Sequence, residues 1–166
     1  MQLGTVKYIY LIRHAKSSWK HDDLDDIERP LNKRGKSDAP RLGDRIRSIE
    51  PKIEILYSSP AVRAKRTAEI IAKRAGIDRL LIVDELYEFP GGGSDLIRGL
   101  DNDIESVGFV IHNPTITQAA NELGSLYIEN VPTSGLCVIK LDVARWSSNK
   151  SGRTILFDYP KLWRNS

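Results

Sequence analysis

The chain is predicted to fold as an α/β three-layer αβα sandwich, its central sheet mostly parallel with antiparallel pairing at one edge. Three observations carry that prediction. Short β-favouring apolar runs alternate with stretches of helical periodicity up to Gly124, the pattern of a parallel sheet whose crossovers are helices. The first run, residues 6–12, is apolar almost throughout rather than alternating, as expected of a strand buried on both faces. The last two runs, 135–141 and 154–157, flank a polar turn at 147–152, and a hairpin is the simplest way to pair them.

Each element has its own local cause. The first strand stops abruptly at Arg13 and His14, and the loop 15–28 that follows carries Asp22, Asp23, Asp25, Asp26 and Glu28. Such an acidic stretch reads as a solvated loop. Asn32 can cap a helix over 33–49, where Ala39, Leu42, Ile46 and Ile49 recur at helical spacing. Pro40 falls inside that pattern and predicts a kink or a restarted helix. Residues 53–57 form the second strand. Ser59 and Pro60 then read as cap and first turn of a helix, whose small apolar face includes Ala64, Ala68 and Ile71 and which Gly76 closes. A third strand at 80–83 leads into a glycine-bearing loop at 85–93, and Ser94 is placed to cap a short helix. Residues 109–112 form another strand, ending in His112, and Asn113-Pro114 repeats the cap-plus-proline start. Trp163 is expected to pack the tail onto the domain.

At 166 residues, with 40% hydrophobic and 28% charged residues, the chain suits a single globular domain over 1–166. A formal net charge of +3 is too small to call for nucleic acid or a membrane surface, but it suits a basic pocket for an anion. No apolar run approaches the ~20 residues that span a bilayer, and residues 1–5 lack a charged-then-apolar leader. The expectation is a cytoplasmic protein. Cys137, the sole cysteine, lies in an apolar run and reads as a buried structural thiol. No metal-ligand spacing stands out, and no cofactor is called for.

Parallel sheets place ligand sites beyond the carboxyl ends of their strands. Arg13, His14 and His112 stand at such ends, and Arg63 lies in the helix after the second strand. Helical side chains lean back toward their own N-terminus, which aims Arg63 at the same edge. Helix N-termini add unpaired N–H groups and partial positive charge. Together these features describe a site for a dianion such as a phosphoryl group. Lys16 and Ser17 follow directly, and Ser17 is a further candidate phosphate-binding donor. Arg66 is either a second pocket arginine or a solvent-facing one, and His21 is expected to face water.

The segments 11–15, 29–35, 57–68 and 110–114 resemble, in order, the arginine-histidine signature and the three later blocks of the histidine phosphatase (phosphoglycerate mutase-like) superfamily. The short chain and the form of residues 13–19 are similar to the branch of small phosphohistidine phosphatases typified by SixA. The resemblance implies a phosphoglycerate mutase-like fold and a metal-independent phosphatase. His14 would be the nucleophile that is transiently phosphorylated, while Arg13, Arg63 and His112 bind the phosphoryl oxygens. Neighbouring arginines are expected to help keep His14 neutral. Glu88, in a Leu-x-Glu context, would be either the general acid or a rim carboxylate, because a phosphoramidate leaving group needs less help from an acid. Ala15 stands where the wider family has glycine, which is tolerated unless φ must be positive. The expected substrate is phosphohistidine or another phosphorylated protein side chain. The alternatives are a small phosphate ester, or a phosphate-binding module without catalysis.

Overall fold

The computed structural model describes residues 5–87, 92–148 and 151–164. Its strands are β1 (Lys7–Arg13), β2 (Ile55–Ser58), β3 (Leu80–Ile82), β4 (Ser106–Ile111), β5 (Leu136–Leu141) and β6 (Arg153–Asp158). Between and after them run α1 (Lys33–Arg47), α2 (Val62–Ala75), α3 (Gly92–Arg98), α4 (Thr115–Leu123) and α5 (Pro160–Arg164), with 3₁₀ turns at Asp26–Glu28 and Asp84–Leu86. The six strands form one sheet in the order β3-β2-β4-β1-β5-β6. The pairs β1–β4, β4–β2 and β2–β3 are parallel, whereas β1–β5 and β5–β6 are antiparallel.

The period-2 geometry of the strands splits the core in two. Ile9, Leu11, Tyr57, Phe109 and Ile139 face one side and pack with Ile116 and Ala120 of α4. Tyr10, Ile12, Leu56 and Val110 face the other and meet Leu42 of α1, Ile71 of α2 and Trp163 of α5. Each such aliphatic side chain, fully withdrawn from water, contributes about 1.5–3 kcal/mol. The three layers follow directly. Cys137 is buried in the first core, and burial pushes its thiol up to about 12. Among the described residues no helix is long and apolar enough to cross a membrane.

Four local expectations change. Asn32 does cap α1, accepting from Gly35 N–H at 2.9 Å, but the helix continues through Pro40 without a restart. Proline removes one hydrogen bond there, and the burial of Ala39, Leu42 and Ile46 holds the helix on both sides of the gap. Ser59 does not cap α2, which begins after Ala61; its hydroxyl accepts from Ala61 N–H at 3.3 Å and pairs with His112. Asn113 does not cap α4 either: its side-chain oxygen accepts the Thr117 hydroxyl at 2.6 Å, and its side-chain amide donates to the Asn130 side-chain oxygen at 2.7 Å. Ser94 lies inside α3 rather than before it.

Candidate active site

The register that pairs Arg13 with Ile111 sets His14 and His112 side by side, one residue past the carboxyl ends of neighbouring strands. His14 N–H extends the ladder to the Ile111 carbonyl at 3.2 Å. The two imidazole rings lie 5.0 Å apart between centroids. From β2, the next strand over, Ser59 N–H reaches the Val110 carbonyl at 3.1 Å and α2 begins, so Arg63 sits in its first turn at the same edge. Thr67, one turn on, accepts Ala15 N–H at 3.0 Å and donates to the Arg63 carbonyl at 2.6 Å. That hydroxyl ties the loop after His14 to the helix carrying Arg63.

Ala15 is fully buried beside Leu31 and Ala39, and its φ is not positive, which is why a methyl group fits where the wider family has glycine. The left-handed position falls instead on Ser134, at φ 60°. Its N–H donates to the His14 carbonyl at 3.1 Å, holding the residue from the side of β5.

The chemistry of His14 follows from its hydrogen bond. Nδ1 lies 2.8 Å from the Ala15 carbonyl, an oxygen that can only accept, so Nδ1 carries the proton and Nε2 keeps its lone pair. Burial drives the pKa down to about 3; the Ala15 bond opposes this, and His112, Arg63 and Arg13 add to it. Burial, more than the arginines the sequence suggested, keeps this ring neutral. His112 is lowered to about 4, again by burial first and then by Arg63. Its Nε2 meets the Ser59 hydroxyl at 2.7 Å.

Both arginines are held from behind. Arg13 Nη1 donates to the Val131 carbonyl at 2.9 Å. Its pKa is lowered by burial and then by the nearby Arg63. Arg63, only 5% exposed, donates through Nη1 to the Asp26 carbonyl at 2.6 Å and through Nη2 to the Asp26 carboxylate at 2.9 Å. Among the described residues, the buried Nε of Arg13, the Nε of Arg63 and Nδ1 of His112 have no hydrogen-bond partner. Buried polar atoms are rarely left so; the two guanidinium Nε–H groups offer donors to an anion, and His112 Nδ1 joins them in the tautomer where the Ser59 hydroxyl donates to Nε2.

Asp26 corrects the reading of 15–28 as merely a solvated loop. Its carboxylate also accepts from Arg29 Nε at 3.1 Å and from the Tyr87 hydroxyl at 2.7 Å. Burial would raise its pKa, but the hydrogen bonds from Tyr87, Arg63 and Arg29 outweigh it and hold the carboxyl well below the usual range. Arg29 is buried and donates through Nη1 to the Ser17 hydroxyl at 2.8 Å, so Ser17 braces Arg29. Above Arg29 lies Trp19, 72% exposed, its ring centre 3.6 Å from the guanidinium carbon. The edge of Tyr87 meets His112, with centroids 5.8 Å apart.

Arg66 is exposed and pairs with Glu69 at 3.9 Å, the solvent-facing alternative. His21 is exposed as expected, and Glu88 lies outside the described residues. Sequence reasoning assigned Asp26, Tyr87 and Ser134 no part in the site and noted Arg29 only within a motif. Asp26 stands among five acidic side chains in its loop, and no local feature separates it from the others. Among the described residues no group of three or more His, Cys, Asp or Glu could hold a metal ion.

Comparison with known proteins adds a lineage to this geometry. The sequence pattern of the histidine phosphatase superfamily (branch 1) matches residues 9–98. Over 160 residues the chain is 28% identical to an uncharacterized protein of Mycobacterium tuberculosis (strain ATCC 25618 / H37Rv), covering 89% of this chain and 98% of that one. Among solved structures, the protein histidine phosphatase SixA complexed with tungstate superposes with a TM-score of 0.75 at 22% identity, over 92% of this chain and 94% of that one. A phosphoglycerate mutase from Bacillus anthracis str. Sterne superposes with a TM-score of 0.61 at 17% identity, over 87% and 95% of the two chains. Both structural likenesses establish the phosphoglycerate mutase-like fold.

Proposed function

The chain belongs to the histidine phosphatase superfamily (branch 1), and from that premise we propose that it is a metal-independent phosphatase, acting as one domain over 1–166 through a phosphohistidine intermediate on His14. The observation that carries this reading is the pairing of His14 and His112, 5.0 Å apart, with the His14 proton held on Nδ1, which donates to the Ala15 carbonyl, so that Nε2 is unprotonated. In the first step Nε2 attacks phosphorus in line, the P–N bond forms, and the bond to the leaving group breaks. Arg13, Arg63 and His112 hold the three remaining oxygens and stabilise the charge that spreads over them. In the second step water attacks phospho-His14, orthophosphate leaves, and the imidazole returns to its starting state.

The substrate class we propose is phosphohistidine or another phosphorylated side chain on a protein. Two features support it. The chain has little length to spare for a covering insert, and the exposed Trp19 beside Arg29 offers a flat apolar rim to an approaching ring. A phosphoramidate leaving group is readily protonated, so Glu88 serves as general acid only for the less reactive phosphate esters.

The test is labelling followed by turnover. Incubation with radiolabelled phosphoramidate in EDTA should give an acid-labile protein label that is absent in His14→Ala. The wild type should then release phosphate from a phosphohistidine protein faster than from common phosphate esters. Tight phosphate binding without label would make the chain a binding module. Label with turnover of esters alone would move the substrate to small molecules. For Arg63→Ala the expected fall in turnover is about a hundredfold or more with the fold retained; a near-normal rate would remove Arg63 from the site.

A further inference from the structure

Beside the site, α1 and α2 leave a groove of about 770 Å³ between them. Its floor includes Leu31, Pro40, Val62 and Ile70, and its lining is more apolar than polar. One face of α2 supplies most of one wall. Positions 62, 65, 66, 69, 70 and 73 follow the three-and-four spacing of a helix stripe, while Arg63, Ala64 and Thr67 are buried against the rest of the protein. Val62 is 41% exposed, an apolar side chain left at the surface at the end of the helix nearest the catalytic edge.

The rim is predominantly basic, with Lys36, Lys65, Arg66, Lys73 and Arg74 against Glu69. Arg66 is paired with Glu69 and Arg74 with Asp44. Lys36, Lys65 and Lys73 also line the groove and are exposed. Among the described residues none of these three has a carboxylate partner. Three uncompensated ammonium groups around an apolar floor select a partner that brings both carboxylates and apolar side chains.

Location says which partner. The groove starts at Pro30, which follows the site residue Arg29, and at Val62, which precedes Arg63. From there α2 carries it away from the catalytic edge for about 16 Å between residues 62 and 73. That length suits three turns of a helix or about five extended residues. We propose that the α1–α2 groove docks an acidic, partly apolar segment of the phosphorylated protein whose side chain enters the site. This rests on the reading of the substrate as a phosphorylated protein side chain.

Two synthetic peptides carrying the same phosphohistidine test it, one with a tail of Glu, Asp and Leu and one with a Gly-Ser tail. The acidic-tail peptide should show a KM about tenfold lower at low ionic strength, with the advantage shrinking as salt is added. The triple variant Lys36→Glu, Lys65→Glu, Lys73→Glu should lose that advantage while its turnover of acetyl phosphate stays at the wild-type rate. Unphosphorylated acidic-tail peptide, titrated calorimetrically, reads the groove without any turnover, so a failed substrate assignment and a failed groove are told apart. Binding of this peptide that is absent in the wild type, or unchanged in the triple variant, would overturn the proposal. So would equal binding of an RNA oligonucleotide of matching charge. Should the triple variant melt early, Ile70→Ser with its lysines intact is expected to weaken the same peptide several-fold, and unaltered binding there would also count against the groove.

Discussion

His14 owes its character to a single carbonyl. The Ala15 oxygen fixes the proton on Nδ1, and burial then keeps the ring neutral far below its ordinary titration range. Arg63 is governed in the same way by Asp26, whose main-chain and side-chain oxygens hold both terminal nitrogens. A hydrogen bond between charged groups contributes about 1.5–3 kcal/mol, so a guanidinium freed of its carboxylate loses a measurable part of its preorganisation. Asp26→Ala is therefore expected to lower turnover of acetyl phosphate about tenfold or more and to lower the melting temperature as well, because it leaves the buried Arg63 guanidinium short of its carboxylate. Tyr87→Phe, which removes only one bond to that carboxylate, should cost less. An Asp26→Ala enzyme with wild-type kcat would show that the Asp26 main-chain oxygen alone is enough to orient Arg63.

Elements meet at glycines here, and two of them separate geometry from chemistry. Gly35, in the first turn of α1, lies against the loop that follows His14, and a Cβ there would overlap the Lys16 carbonyl. The same oxygen accepts Asn32 N–H at 3.0 Å, so the loop cannot retreat without breaking the entry to α1. Gly35→Ala should destabilise the fold by about 1–3 kcal/mol and also reduce turnover, because it displaces the strand-end loop. Gly76 closes α2 at φ 71° with open space around its Cβ position. Gly76→Ala should cost about 1–2 kcal/mol and leave turnover at the wild-type level. Equal effects of the two changes on kcat would contradict this separation.

For the molecule as a whole, two buried neutral histidines couple folding to pH. His14 and His112 are lowered from 6.5 to about 3 and about 4. As pH falls through about 6.5 the unfolded chain takes up protons at both positions and the native chain does not, so stability declines. The decline continues until the native rings titrate, near pH 4 for His112 and lower for His14. Asp26, whose folded pKa is depressed below 3.8, adds its own loss once the pH falls through 3.8. Urea unfolding at pH 7, 5.5 and 4.5 should show a progressive fall in midpoint, and a double variant His14→Asn, His112→Asn should flatten it. A wild-type midpoint that does not move between pH 7 and 4.5 would rule out neutral burial of these rings.

The alternation of strands and helices, the cap at Asn32, the stop at Gly76 and the closing hairpin were all legible in the sequence. Each depends on spacing and torsional preference within a few residues. So did the meeting of Arg13, His14, Arg63 and His112, because parallel strands deliver their ends to one edge whatever the loops do. Asp26, Arg29, Tyr87 and Ser134 were assigned no role in that meeting, and Ser59 and Asn113 turned from expected caps into tertiary partners. Their partners include groups distant in the chain, met through the side chain or, for Ser134, through the main-chain N–H, and nothing in the neighbouring residues announces a partner that only packing brings within hydrogen-bonding distance. The state of the His14 imidazole belongs with them. Sequence could supply a histidine at a strand end, but its neutrality depends on how much of the protein closes around it.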